Sequence, residues 1–328
     1  MVPLKLLDEQ ILTELFLNSK QSYRQLAKKL NISKENLSKK IERYKSLNIL
    51  RDFAVSVNYD KLGFMEYNLF IRLKKLDSIF YDNFLNYLNN HNNTTWIGKS
   101  FGKYDIKISL IVKSYSDVNT FIFELSKEFP DKIEIVDSLF VIDKYKSSKE
   151  LFVSNLFPNV SLSNGINKKE NKIVKDIKLE YIDKKVIYEV SQNPKISLVE
   201  LGHKLNILPE TLKYKISKLE KNDYLKNYSI VFNGKELNKI WCVVLLNISQ
   251  TNIENFKDEL KKNKNISSFV ETQGVWNLSA TFFASDINSL YRSLNELRSN
   301  FSKDILNFEY LIYFDFFKFP KAPKSILE

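Results

Sequence analysis

Apolar residues along the first sixty positions fall at helical spacing in three short stretches, then alternate in a fourth. Ile11, Leu12 and Leu15 give the first stretch one apolar face, and Asp8 stands ahead of it as a capping side chain. Ser22-Tyr23-Arg24-Gln25 has the spacing of a capping box and opens a second helix whose Leu26 and Leu30 face inward. Asn31-Ile32 makes a tight turn, and Ser33 caps a third helix that buries Leu37, Ile41 and Tyr44. Two helices joined by so short a turn predict a helix-turn-helix. The alternating run Phe53–Val57 after it reads as a wing, or as a strand leading out of one.

From Tyr67 the pattern changes. It predicts a strand over Leu69–Leu73, a helix over Phe80–Leu88, strands around Trp96 and over Ile106–Val112, a helix over Val118–Phe129 and a last strand over Ile133–Ile142. That order, βαββαβ, is ferredoxin-like. Both helices then cover one face of the sheet, and its apolar opposite face needs a second copy to bury it.

The chain contains that second copy. Residues 8–62 match residues 183–237 without a gap, so that Asp8, Leu26, Leu30, Asn31, Ile32, Leu37, Lys40, Ile41, Leu50, Asn58 and Leu62 recur as Asp183, Leu201, Leu205, Asn206, Ile207, Leu212, Lys215, Ile216, Leu225, Asn233 and Leu237. Recurrence of polar residues argues against shared periodicity alone. Ser197-Leu198-Val199-Glu200 repeats the capping box, Pro209 suits the first position of a third helix, and Tyr228–Phe232 repeats the alternating strand. Phe101-Gly102-Lys103-Tyr104-Asp105 answers to Gln273-Gly274-Val275-Trp276-Asn277. The expected class is α+β. It comprises a winged helix-turn-helix over 1–65, a βαββαβ domain over 66–145, a linker over 146–181, a second winged helix-turn-helix over 182–239 and a second βαββαβ domain over 240–328. The βαββαβ domains are expected to pair, within the chain or in a homo-oligomer.

The formal charge of +11 implies an acidic partner, and its distribution narrows the choice. The net charge is +5 over 1–65, +3 over 146–181 and +4 over 182–239, but −1 over 66–145 and 0 over 240–328. The excess thus lies in the helix-turn-helix blocks and the joining segment. In the latter, Ser161, Ser163, Asn164 and Gly165 read as a loop, and Lys168, Lys169, Lys172, Lys175 and Lys178 as a basic, helical and mainly solvated approach to the second copy. A helix that enters a major groove must present long polar side chains there. The outward candidates are Lys34, Asn36, Ser38, Lys39, Lys40 and Arg43 in the first copy, and Thr211, Lys213, Tyr214, Lys215 and Lys218 in the second. Lysines suit phosphates, while Asn36 and Thr211 suit base edges.

No apolar run is long enough to span a bilayer, and Met1–Gln10 lacks a signal-peptide pattern, so a cytoplasmic protein without membrane partners is expected. A single cysteine, Cys242, and two distant histidines, His91 and His203, predict neither a disulfide nor a metal site. Cys242 reads as a small buried apolar residue, His91 as a loop residue and His203 as an exposed helix residue, none of them catalytic.

The opening Leu7-Asp8-Glu9-Gln10-Ile11-Leu12, the run Leu26-Ala27-Lys28-Lys29-Leu30-Asn31-Ile32-Ser33 and the glycine turn at Gly102 together resemble the Lrp/AsnC, or feast/famine, regulators, once in each half. That resemblance implies a DNA-binding transcription regulator without catalytic residues or cofactor. It also implies an amino acid or similar effector at the glycine turn, which carries over Gly102, Tyr104 and Asp105. The second copy departs there, with Trp276 and Asn277 in place of Tyr104 and Asp105. Two alternatives accompany this reading. One is an enzyme like the siroheme decarboxylases, which resemble paired Lrp/AsnC units; the other is an architectural DNA-binding protein without sequence choice.

Overall fold

The computed structural model describes residues 4–74, 77–146, 149–160 and 178–328. In chain order the first copy contributes α1 (Leu6–Leu17), α2 (Tyr23–Lys29), α3 (Lys34–Ser46), β1 (Leu50–Val57), β2 (Met65–Leu73), α4 (Ser78–Asn90), β3 (Thr94–Phe101), β4 (Ile106–Val112), α5 (Tyr115–Glu128) and β5 (Ile133–Lys146). A short helix, α6 (Lys149–Leu156), follows. The second copy contributes α7 (Tyr181–Gln192), α8 (Leu198–Leu205), α9 (Pro209–Lys221), β6 (Leu225–Phe232), β7 (Ile240–Ile248), α10 (Ile253–Lys262), β8 (Ile266–Gln273), β9 (Leu278–Ala284), α11 (Ile287–Asn300) and β10 (Ile305–Lys318). These elements form two compact units that each draw like parts from both copies. One comprises residues 1–64, 156–233 and 320–328, the other 65–155 and 234–319.

In the first unit the caps act largely as their spacing requires. Ser22 accepts from Gln25 N–H while Gln25 accepts from Ser22 N–H, and Ser33 accepts from Asn36 N–H. Ser197 accepts from Glu200 N–H, the first half of the box expected there, and Pro209 opens α9. Asn31 and Asn206 turn the chain between helices in the left-handed conformation, at φ 52° and 55°, which asparagine tolerates better than most residues. Asp8 does not precede its helix. It sits three residues beyond the N-cap Lys5 and accepts that residue's N–H at 3.0 Å.

β1 and β6 differ from the expected wings. Each finds its partner in the other copy, as one antiparallel two-stranded sheet with Leu50 opposite Phe232 and Val57 opposite Leu225. Adding the repeat offset of 175 to Leu50 and Val57 gives Leu225 and Phe232, so the two pairs interchange under a pseudo-twofold axis. The bonds from Asn58 N–H to Tyr224 O and from Asn233 N–H to Ile49 O interchange in the same way. Recurrence of the asparagine at 58 and 233 therefore marks the two ends of this shared ribbon.

The boundaries at 146–181 and 240–328 also need correction. Residues 149–156 form α6, with Phe152 and Val153 buried, and β10 ends at Lys318. Beyond it Ala322 and Ile326 are buried against the first unit, where Ala322 N–H donates to Ser191 Oγ and Gln192 Nε2 donates to Ala322 O. The apolar residues there serve the helix-turn-helix unit, not the sheet. The loop residues Ser161, Ser163, Asn164 and Gly165 and the lysines at 168, 169, 172 and 175 lie outside the described residues.

The second unit holds a closed eight-stranded barrel in the order β10-β3-β4-β2-β5-β8-β9-β7. Each half is a four-stranded ferredoxin-like sheet, and the fourth strand of each joins the second strand of the other. Phe140 lies opposite Gln273 and Ile312 opposite Phe101, a pair of pairs that the offset of 172 interchanges. Closure removes the exposed edges that each sheet would have alone. α4 and α5 cover the outer face of one half through Phe84, Leu88, Phe121 and Leu125, while α10 and α11 cover the other through Phe256, Leu260, Leu290 and Leu297. The apolar inner faces, expected to need a partner, meet inside the barrel through Phe70, Leu139, Leu245, Leu311 and Tyr313.

Candidate nucleic-acid interface

α3 buries Leu37, Ile41 and Tyr44, and α9 buries Leu212 and Leu219, so each third helix packs one stripe inward and offers the other to solvent. Lys34, Asn36, Lys39 and Arg43 are exposed on α3, with Ser38 half-buried. Thr211, Lys213 and Tyr214 are exposed on α9, with Lys218 half-buried. Arg24, in the second position of α2, is exposed as well, a cation outside the third helices.

Lys40 and Lys215 do not belong to the outward face. Lys40 Nζ donates to Asp8 Oδ1 at 2.7 Å and Lys215 Nζ to Asp183 Oδ1 at 2.8 Å, and both carboxylates are buried. Tyr44 Oη also donates to Asp8 at 2.7 Å, whereas its counterpart Leu219 cannot. Burial alone would raise the Asp8 carboxyl, but the bonds from Lys40, Tyr44 and Lys5 N–H outweigh it and hold the group below the usual carboxylate range. Bonding to Asp183 holds Lys215 above the usual ammonium range. The two lysines thus tie the third helix of each copy to the first. The periodicity carried this signal: Lys40 stands three residues after Leu37 and four before Tyr44, within the buried stripe.

The glycine turns hold the residues carried over as effector contacts. Gly102 (φ +136°) and Gly274 (φ +149°) occupy backbone conformations that L side chains rarely adopt. A Cβ on Gly102 would lie 2.8 Å from Tyr310 O, on the last strand of the other half. Tyr104 is fully buried. Its hydroxyl donates to Asp137 and accepts from Trp276 Nε1 at 3.2 Å, so it lines no open site. Burial and the Asp137 bond raise its phenol above the ordinary value. Asp105 Oδ2 accepts Leu73 N–H at 2.7 Å. Asn277 does the same for Ile248 N–H at 2.9 Å and donates to Ile248 O at 2.7 Å. The substitution between copies therefore falls at a residue that fastens the turn to the first strand of its own sheet.

Cys242 is buried, which pushes its thiol up to about 12 and leaves it unreactive. His203 is exposed on α8. His91 caps the end of α4 with its ring against Phe121, and burial lowers its imidazole below the usual value. Among the described residues no group of three His, Cys, Asp or Glu side chains is placed to hold a metal, and no helix is long and apolar enough to cross a membrane.

Comparison with known proteins bears on both units. A family model described as winged helix-turn-helix DNA-binding matches residues 179–226, from α7 through α9. An uncharacterized HTH-type transcriptional regulator of Pyrococcus horikoshii is 28% identical over 131 residues, which span 39% of this chain and 84% of that protein. The HTH-type transcriptional regulator LrpC of Bacillus subtilis is 28% identical over 91 residues, 27% of this chain and 63% of LrpC. Among solved structures, the siroheme decarboxylase NirDL matches with a TM-score of 0.59 and 15% identity over 98% of this chain and 96% of its own, a likeness of fold. The chain is thus similar in sequence to HTH-type transcription regulators, LrpC among them.

Proposed function

We propose that the chain regulates transcription by binding double-stranded DNA through α3 and α9, which one pseudo-twofold ribbon holds as a pair inside a single polypeptide. The observation that carries this reading is the exposed basic ridge of α3, with Asn36, Lys39 and Arg43 on a helix-turn-helix scaffold. Paired reading helices are the usual means of engaging two half-sites, and here the pairing needs no second chain. The regulator homologues point the same way.

The test is fluorescence anisotropy of the full chain with DNA selected from a random pool, against scrambled DNA, at two salt concentrations. Selected DNA should bind at least a hundredfold more tightly, since specific sites commonly exceed non-specific ones by about 10³ or more. Lys39→Ala should weaken binding to both DNAs and reduce the salt slope by about one if it contacts a phosphate. Equal affinity for both DNAs would favour the architectural alternative.

The fold shared with NirDL keeps a second reading in view, an enzyme acting on a tetrapyrrole. Against it, neither histidine faces the barrel interior, which Phe70, Tyr104, Trp276 and Tyr313 fill. A heme titration followed in the Soret band decides: saturable binding of one equivalent would support the enzyme, and its absence the regulator.

A further inference from the structure

The outward ridges of α3 and α9 occupy equivalent positions and differ in chemistry. With the N-cap included, the first copy presents Ser33, Asn36, Lys39 and Arg43; at the offset of 175 the second presents Leu208, Thr211, Tyr214 and Lys218. Steps of three, three and four residues keep each set on one strip along its helix. Leu208 is 71% exposed and Tyr214 69%, and Val199, which replaces Arg24 at the head of the preceding helix, is 58% exposed. Leu208 also forgoes the cap bond that Ser33 makes to Asn36 N–H. Leu208 thus stands exposed at the helix start with no cap bond, on the same strip as Tyr214.

The surroundings of this strip are cationic. Lys213 is exposed beside it where the first copy has Ser38, and Lys218 and Lys221 continue the helix. An apolar ridge flanked by cations complements a groove with phosphate walls and apolar groups on its floor. In a DNA major groove the apolar group on the floor is the thymine C5 methyl, which Thr and aromatic side chains contact. The family model for DNA-binding winged helices matches across this copy, residues 179–226.

We propose that α9 reads thymine methyl groups through Leu208, Thr211 and Tyr214, while α3 reads hydrogen-bonding edges through Asn36. The chain's operator is then asymmetric, with a methyl-rich half-site under the second copy. This inference rests on the DNA-binding reading and specifies what one half of that site recognises.

Deoxyuridine in place of thymidine removes the methyl and leaves the base-pairing edges intact. The full chain is bound to an operator chosen from a random pool, and thymidines are replaced in one half-site at a time. Because the only cysteine, Cys242, is buried, Lys221→Cys takes a DNA-cleaving probe selectively and locates the half-site under α9. Deoxyuridine there should weaken binding about fourfold per contacted methyl, the equivalent of one buried methyl-sized group. Replacement in the other half-site should change affinity less than about twofold. Converting the ridge to that of the first copy, with Leu208→Ser, Thr211→Asn and Tyr214→Lys, should abolish the deoxyuridine effect while DNA binding persists. Specific binding that is indifferent to deoxyuridine, or equally sensitive in both half-sites, overturns the inference and leaves the regulator reading intact. Specific binding with no cleavage by the probe on α9 overturns it in favour of a protein-docking ridge. Failure to bind any DNA overturns both.

Discussion

The two helix-turn-helix copies share the ion pair that ties the third helix to the first and diverge on the ridge of that helix that faces solvent. Asp8 with Lys40 and Asp183 with Lys215 make the same tie between first and third helices. On the outward ridge of the same third helices Asn36, Lys39 and Arg43 have become Thr211, Tyr214 and Lys218. The glycine turns add a second kind of divergence, since the close approach at Gly102 and Gly274 is kept while buried Tyr104 and the fastening Asp105 give way to buried Trp276 and Asn277. Equivalent positions in one chain experience the same scaffold, so a difference between them isolates what the scaffold does not dictate.

The largest expected effect tests the shared tie. Lys215→Met leaves the Asp183 carboxylate buried with only the Glu180 N–H, whereas Lys40→Met leaves Asp8 with both Tyr44 Oη and the Lys5 N–H. A buried charge stripped of its partner typically costs several kcal/mol, so Lys215→Met should lose about 3 and Lys40→Met about 2. All three tryptophans, Trp96, Trp241 and Trp276, lie in the barrel unit. Loss of far-UV helical signal ahead of tryptophan emission would therefore report the helix-turn-helix unit. Equal losses from the two variants would remove the role assigned to Tyr44.

The same tie sets a pH dependence. The folded Asp8 carboxyl sits below its unfolded value, so the unfolded chain binds more protons in the acid range. Its contribution is complete above the ordinary carboxylate range and fades as pH falls through the lowered folded value. Asp8→Asn should flatten that limb of the stability curve, and an unchanged slope would assign the acid sensitivity to other carboxylates.

Next in size are the glycines. A Cβ at Gly102 meets the backbone oxygen of Tyr310 at 2.8 Å, while at Gly274 the nearest atom, 2.6 Å away, is a Leu139 methyl able to turn aside, with Ser138 O at 3.0 Å. With positive φ common to both, Gly102→Ala should cost about 2 kcal/mol and Gly274→Ala about 1. Denaturant titration followed by tryptophan emission reads both. The reverse order would mean that the side-chain obstacle outweighs the backbone one.

These contrasts also mark what was legible beforehand. Helices, the serine caps at 22, 33 and 197 and the tight turn at Asn31 depend on neighbours within a few residues, and the sequence displays them. The ribbon and the barrel join residues such as Phe53 with Ile230 and Phe140 with Gln273, and pairing at that separation leaves only apolar sheet faces as its local trace. Lys40 was misplaced because charge suggested solvent although its spacing put it on the buried stripe; a lysine stem can run along an apolar surface to reach a partner. Leu208 and Val199 went unnoticed because a reading surface was sought among polar residues.

The smallest effect separates fastening from recognition at the glycine turn. Asp105→Asn keeps an acceptor for Leu73 N–H, as Asn277 does for Ile248 N–H, and should change stability by less than about 1 kcal/mol. Asn277→Asp instead sets a carboxylate oxygen against Ile248 O, to which the amide now donates, and should cost about 1–2 kcal/mol. An effector with an α-amino group would use the Asp105 charge, not its geometry. Calorimetric titration of amino acids against wild type and Asp105→Asn therefore distinguishes the two roles. Heat lost in a variant of unchanged stability assigns effector recognition to the carboxylate. Equal heats in the two proteins, or none in either, leave Asp105 with the fastening it shares with Asn277.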